Sequence, residues 1–162
     1  FEGPVAYCLP GRVAQAAHLA GGWLAVDAER IAGDWSAELW FNSLLPANLR
    51  ALTGVLLARG GQQLTIGAGG KLTFDDGATK VTGRGTIEPN RWYHLALVRS
   101  SGRVQVYLDG RQEIDAQAAP AQGALLVGGG GPADSSLEGK IDEVAFYGRP
   151  LSAEEIGGHA RP

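Results

Sequence analysis

Leu137-Glu138-Gly139-Lys140-Ile141-Asp142-Glu143-Val144-Ala145-Phe146-Tyr147-Gly148-Arg149-Pro150-Leu151-Ser152-Ala153-Glu154-Glu155-Ile156 is the stretch that decides how this chain folds. Its first half, Lys140 to Tyr147, reads as a closing β-strand, rich in branched and aromatic residues. Its second half reads as a short helix. Ser152 is placed to cap the backbone N–H of Glu155 while the Glu155 side chain reaches back, and Pro150 lies just outside the start. Gly157-Gly158 is expected to end this helix after about two turns.

Outward from that stretch the chain is almost entirely strands and turns. Ser36 to Ser43 alternates, with Ala37, Leu39 and Phe41 on one face and Glu38, Trp40 and Asn42 on the other. Gly54 to Arg59 carries a continuous apolar run, as a strand buried on both faces would. Gln63 to Ile66 and Lys71 to Phe74 flank Gly67-Ala68-Gly69-Gly70 and read as a hairpin. Arg91 to Arg99 and Arg103 to Asp109 form a second one around Ser100-Ser101-Gly102. Ala14 to Leu19, Trp23 to Asp27, Lys80 to Ile87, Gln112 to Asp115 and Gly123 to Val127 are shorter strand signals. One short helix among so many strands predicts two packed antiparallel sheets and excludes a βαβ architecture.

The chain has 162 residues, enough for one domain with a real core and too few for two ordinary ones. Hydrophobic residues make up 44%, which places it among globular rather than disordered sequences. The net charge of −3 is spread along the chain, with no basic stripe for nucleic acid or a membrane surface. No apolar run approaches the roughly 18 residues needed to cross a bilayer, so no membrane insertion is expected. Cys8 stands alone, so no internal disulfide is possible, and it reads as a small, partly buried residue. The chain starts at Phe1 and contains no methionine, as a piece of a longer or processed protein would. Any targeting signal would then lie outside it. Nothing specifies an oligomeric state, although an unpaired sheet edge would support dimerisation.

The ordered motifs resemble a laminin-G-like, pentraxin-like domain of the concanavalin A-like lectin/glucanase superfamily. Asp34-Trp35-Ser36-Ala37-Glu38-Leu39-Trp40-Phe41 is similar to that family's early tryptophan-bearing strand. Arg91-Trp92-Tyr93-His94-Leu95 resembles its Trp-x-His-aliphatic strand, and Tyr107-Leu108-Asp109-Gly110 its hairpin arm. Ile141-Asp142-Glu143-Val144 and Leu151-Ser152 close the pattern, and Phe1-Glu2-Gly3 resembles its first strand. The resemblance runs from Phe1 to His159. It implies an all-β jelly-roll β-sandwich of two antiparallel sheets with one short C-terminal helix, forming a single domain over 1–162. It also implies an extracellular, cell-surface or periplasmic module of a larger bacterial protein.

Some members of that superfamily cleave glucans with carboxylates on one strand in the order Glu-x-Asp-x-x-Glu. Retaining hydrolysis needs two carboxylates about 5 Å apart. Glu113-Ile114-Asp115-Ala116-Gln117-Ala118 begins the pattern but has Ala118 in place of the second glutamate, and Glu138 to Glu143 has the wrong spacing. The histidines His18, His94 and His159 lie in no nucleophile motif, and His94 reads as a packed, hydrogen-bonded residue. Gly128-Gly129-Gly130-Gly131-Pro132 lacks the Lys-Ser/Thr and helix of a phosphate loop and reads as a turn. The expectation is therefore not an enzyme.

A structural Ca2+ ion is a second expectation, and here the resemblance points to Asp142, with Glu2 and Gly3 adding oxygens from the neighbouring strand. The alternative is that Asp142 only accepts backbone amides of the first loop. Pro4 to Arg30 carries only Asp27 and Glu29 as acids, against the acidic run of calcium-binding members. For a sugar, aromatic faces would meet C–H groups and a few polar side chains the hydroxyls. Candidates are Trp35, expected to be exposed at a loop–strand junction, Trp40 with Glu38 and Asn42 on its strand face, and Tyr107. The partner is then a glycan. The alternative is a structural or protein–protein interaction domain that contacts another domain of the parent chain, which the 7% aromatic content favours.

Overall fold

In the computed structural model, residues 1–28, 31, 33–46, 49, 54–130 and 135–161 are described. Glu29, Gly131 and Pro132 lie outside the described residues. The strands are β1 (Val5–Pro10), β2 (Gln15–Ala20), β3 (Leu24–Val26), β4 (Trp35–Ser43), β5 (Gly54–Arg59), β6 (Gln62–Ile66) and β7 (Leu72–Asp75). They continue with β8 (Lys80–Thr82), β9 (Trp92–Ser100), β10 (Arg103–Leu108), β11 (Arg111–Gln117), β12 (Leu125–Val127) and β13 (Glu138–Tyr147), before α1 (Ala153–His159). A seven-stranded sheet of order β1-β2-β13-β4-β9-β10-β11 packs on a six-stranded sheet of order β3-β12-β5-β6-β7-β8. Every named pairing is antiparallel, which is the expected jelly-roll sandwich with its single short C-terminal helix.

Period-2 alternation builds the core. Ala37, Leu39 and Phe41 of β4 and Tyr93, Leu95 and Leu97 of β9 point between the sheets, where they meet Leu57, Leu64, Ile66 and Phe74. Phe41 stacks on Tyr93 at 5.7 Å. Burying a large apolar side chain contributes about 1.5–3 kcal/mol, so these rows hold the two layers together. Gly139 allows β13 to join β4. A Cβ there would lie 2.3 Å from the Asn42 carbonyl oxygen, so no side chain fits.

Three local expectations change. The strand β1 was not read from the sequence. Its bulge between Ala6 and Leu9 breaks alternation, and Cys8 sits there exposed at φ 59 instead of partly buried. The strand expected over Lys80 to Ile87 is paired only over Lys80–Thr82. Helix α1 runs through Gly157 and Gly158 to His159. Gly157 instead gives room to the β10–β11 turn, since its Cα lies 3.3 Å from where a side chain on Gly110 would begin.

The capping box holds as expected. Glu155 N–H donates to Ser152 Oγ and Ser152 N–H to Glu155 Oε2, at 3.2 and 2.8 Å. Arg149 grips the same carboxylate at 2.6 and 3.1 Å. Leu151 and Ile156 then press onto Ala96, Val98 and Tyr107, on the outer face of the seven-stranded sheet. Leu151 N–H donates to Ser36 Oγ, which donates to the Arg149 carbonyl, so the approach to the helix is fastened to β4.

Candidate functional site

The alternation of β4 divides the candidate residues between two places. Odd positions enter the core and end at Trp35. The even positions Glu38, Trp40 and Asn42 face outward from the sheet, yet they are buried, at 6%, 9% and 8% exposure. The β1–β2 turn and α1 cover this face: Arg12 lies over the Trp40 ring at 4.7 Å, and His159, at the helix end, reaches Glu38.

Glu38 is the centre of this arrangement. Tyr147 Oη donates to its Oε1 at 2.6 Å, and His159 Nδ1 lies 3.0 Å from both carboxylate oxygens. His94 Nε2 stands 3.5 Å from Oε2, and the His94 ring meets Trp40 edge-on at 5.3 Å. Burial alone would raise the Glu38 carboxyl, but hydrogen bonding from His94, Tyr147 and His159 outweighs it and holds the pKa at about 2. The Tyr147 hydroxyl is pushed up to about 12 by its bond to Glu38 and by burial. Glu38 is therefore a fixed anion at neutral pH, and Tyr147 remains a donor to it.

Tyr147 reaches this face because β13 carries a bulge. Asp142 pairs with Trp40, but Ala145 pairs with Glu38 and Tyr147 with Ser36, with Glu143 at φ 48 between them. The extra residue moves Tyr147 onto the same face as Asp142. Together Arg12, Glu38, Trp40, His94, Glu143, Tyr147, His159 and Arg161 line a recess of about 360 Å³. It offers an ionised carboxylate, two guanidinium groups, imidazole and the edge of an indole, a set that suits hydroxyl groups.

A second recess, of about 530 Å³, opens at the rim between the sheets. The core rows of β4, β5 and β9 end there in Trp35, Arg59 and Arg99, and Asp34, Ser100 and Gln122 complete its wall. Trp35 was expected to be exposed. It is 5% exposed, because its ring packs in the core and under the Arg59 guanidinium at 5.4 Å.

The remaining candidates fall elsewhere. Tyr107 lies beneath α1 with Leu151 and Ile156 and lines neither recess, because its row on β10 faces the helix. Asn42 lines neither, and its buried Oδ1 has no partner among the described residues. Asp142 Oδ2 accepts from the N–H groups of Arg12 and Val13 at 2.8 Å each, and Oδ1 from Glu143 N–H at 2.9 Å. Glu2 pairs with Trp23, at the opposite end of β1 from the turn that Asp142 holds. Asp142, Glu2 and Gly3 so placed do not fit one shared Ca2+ ion: they are not brought together, and the Asp142 oxygens meet amide hydrogens. The hydrolase-like carboxylates are likewise engaged. Glu113 accepts from Arg84 and Gly85 N–H, Asp115 pairs with Arg103, and Glu138 with His18.

The residues 20–157 match the laminin-G family model described as the concanavalin A-like lectin/glucanases superfamily. The chain belongs to that superfamily. No curated protein matches it at a significant level. Among solved structures, this laminin-G-like domain is similar to domain 4 of AbnA, a GH43 extracellular arabinanase from Geobacillus stearothermophilus, solved with arabinotriose. The identity is 22%, the TM-score 0.77, and the match covers 99% of this chain and 82% of that one. It is similar to the binding domain of Paraclostridial Mosquitocidal Protein 1 at 14% identity and TM-score 0.74, covering 96% and 45% of the two chains. Trypanosoma rangeli sialidase with the inhibitor DANA matches at 18% identity and TM-score 0.73. There the domain covers 93% of its own length but spans only 28% of the sialidase. These likenesses establish the fold.

His159, Arg12, Arg59 and Arg99 did not stand out in the sequence as site residues, whereas Tyr147 was one of several aromatic candidates. For Arg99 a signal was present, since it continues the inward row Tyr93-Leu95-Leu97. His159 lies just past a well-capped helix start, but only the packing of Ile156 aims it at Glu38.

Proposed function

We propose that this domain is a non-catalytic carbohydrate-binding module of a larger exported protein. The observation that carries the reading is the outer-face recess. A preformed, ionised Glu38 is held by Tyr147 and His159 beside Arg12 and Trp40, in a hollow of ligand-binding size. The likeness to an arabinanase domain solved with arabinotriose supports a saccharide, and the extracellular setting of that arabinanase supports export. Recognition would rest on hydroxyl hydrogen bonds more than on stacking, because Arg12 already covers the Trp40 ring. A catalytic role is disfavoured by Glu38 itself: a carboxyl held near 2 is a poor general acid at neutral pH.

A glycan array probed with the domain, with calcium and again with chelator, tests this. A saccharide hit weakened by Arg12→Ala, with the melting temperature nearly unchanged, supports the reading. A folded domain that captures no saccharide in either buffer sinks it. One observation favours a protein partner as the second reading. The edge strand β1 brings Tyr7, 57% exposed, against Phe1, 50% exposed, at 5.5 Å. A pull-down lost on Tyr7→Ser would select it.

A further inference from the structure

The rim recess contains an electrostatic imbalance that the outer-face recess does not. Arg59 and Arg99 are each only 6% exposed, and they converge on it from opposite sheets. Arg59 donates through Nε to the Gly123 carbonyl at 3.1 Å and through Nη2 to the carbonyls of Ala28 and Ile31 at 2.8 and 2.9 Å. Arg99 donates through Nη1 to Gln62 Oε1 at 2.8 Å and through Nη2 to the carbonyls of Ala118 and Ala119. All these acceptors are neutral. The arginines with ion pairs among the described residues are Arg91, Arg103 and Arg149, so neither of these two has one.

Two like charges buried near one another without a counter-ion are costly. Burial lowers both arginine pKa values, and for Arg99 the nearby Arg59 charge adds to it, although an arginine stays protonated. Asp34, at the mouth, acts on Arg99 only at a distance and forms no ion pair with it. Its carboxylate instead accepts from Ser100 Oγ and Ser101 N–H, at 3.1 and 2.9 Å. Asp76 acts on Arg99 only at a distance, and it holds the N–H groups of Ala78 and Thr79. One donor nitrogen on each guanidinium, Arg59 Nη1 and Arg99 Nε, has no acceptor among the described residues.

We propose that the rim recess is a binding site for the carboxylate of an acidic sugar residue, held between Arg59 and Arg99 with Trp35 as part of the floor. A carboxylate has two oxygens to offer, one for each guanidinium, and charge-assisted bonds of this kind are about twice as strong as neutral ones. At about 530 Å³ the recess is larger than an inorganic ion needs, and Ser100, Gln122 and the Gly123 backbone supply contacts for hydroxyl groups. This site is separate from the outer-face recess, and it stands whether or not that recess holds a glycan.

The test is titration of the intact domain with glucuronate, glucose, acetate and sodium sulfate at equal ionic strength. It is followed by the Arg side-chain Nε–H and Trp indole NMR signals and by thermal shift. Glucuronate is expected to move the Arg99 Nε–H and Trp35 signals and to raise the melting temperature, while glucose does neither. Gln122→Glu sets a negative charge on an exposed wall position with little risk to the fold, and should weaken glucuronate at least about fivefold. Arg99→Lys should abolish the effect on the indole signal. Neutral glycan capture on the array should be unaffected by Gln122→Glu, while glucuronate binding should be unaffected by Arg12→Ala. Three results would overturn the proposal: no response to glucuronate, an equal response to glucose, or sulfate and acetate matching glucuronate, which would mark a plain anion hole with no place for a sugar.

Discussion

The two recesses of this domain handle buried charge in opposite ways. On the outer sheet face a single carboxylate, Glu38, is surrounded by donors from β9, β13 and α1, and its charge is answered within the protein. At the rim two guanidinium groups donate to carbonyl and amide oxygens, and only the more distant Asp34 and Asp76 act on Arg99. The first arrangement makes the fold depend on its own ionic centre. The second leaves donor nitrogens open to a ligand. A buried ion is thus informative about function chiefly when the protein does not neutralise it.

The sharpest way to break that comparison is to remove each charge in turn. Glu38→Ala strands the Tyr147 hydroxyl and the His94 and His159 imidazoles, and should cost about 4 kcal/mol in urea unfolding. Arg99→Met keeps the packing volume and deletes an under-compensated charge, but it frees the Gln62, Ala118 and Ala119 oxygens, so it should cost about 2 kcal/mol without ligand. Equal losses in the two variants would mean that the rim charges are answered after all.

Acid titration reads the Glu38 centre alone. Its carboxyl ionises at about 2 in the fold against an ordinary 4.5. Since folding lowers the value, the stabilisation is complete above about pH 4.5 and is lost as the pH falls toward 2. Between these limits the native domain should lose about 3 kcal/mol more than Glu38→Gln does, so that their stability curves converge in acid. Glu155 is also held near 2, by Arg149 and Ser152, but it is present in both proteins and cancels. Parallel curves would mean that the donors around Glu38 do not hold its proton off.

Much of this was legible in the chain. The alternation of Ser36 to Ser43 correctly divided core from outer face, and Ser152 with Glu155 marked the helix start. The limit was that a strand face says nothing about what covers it. Glu38, Trp40 and Asn42 looked solvent-facing, and the covering elements, the β1–β2 turn and α1, are remote in sequence. The bulge in β13 could have been seen. Ile141 is inward at an odd position, while Val144 and Phe146 pack inward at even ones, and that change of parity is the mark of one extra residue. The partnership of Arg59 with Arg99 could not be seen, because it joins the ends of strands in different sheets.

A stability test outside both recesses serves as a reference. Asp142 joins β13 to the β1–β2 turn through two backbone N–H bonds, from Arg12 and Val13, and this turn supplies Arg12 to the outer face. Among the described residues Asp75 holds only the local Gly77 N–H and the exposed Lys80. Asp142→Ala should cost about 2 kcal/mol and lower the melting temperature clearly more than Asp75→Ala, whose ion pair is largely screened. Equal shifts in a thermal melt would count against Asp142 as the tie between the first and last strands.

The smallest expected effect isolates the bulge. Tyr147→Phe keeps the ring and removes only the hydroxyl that donates to Glu38 at 2.6 Å, so it should cost about 1 kcal/mol. The informative part is where the loss appears. Without that donor the Glu38 carboxyl should titrate at a higher pH, so Tyr147→Phe should lose less stability between about pH 4.5 and 2, and its curve should meet that of the native domain in acid. In a Glu38→Gln background the same substitution should no longer move the acid limb. A change that is merely additive in the two backgrounds would show that Tyr147 contributes packing alone, and that the bulge at Glu143 aims a ring at the outer face and not a hydrogen-bond donor at its carboxylate.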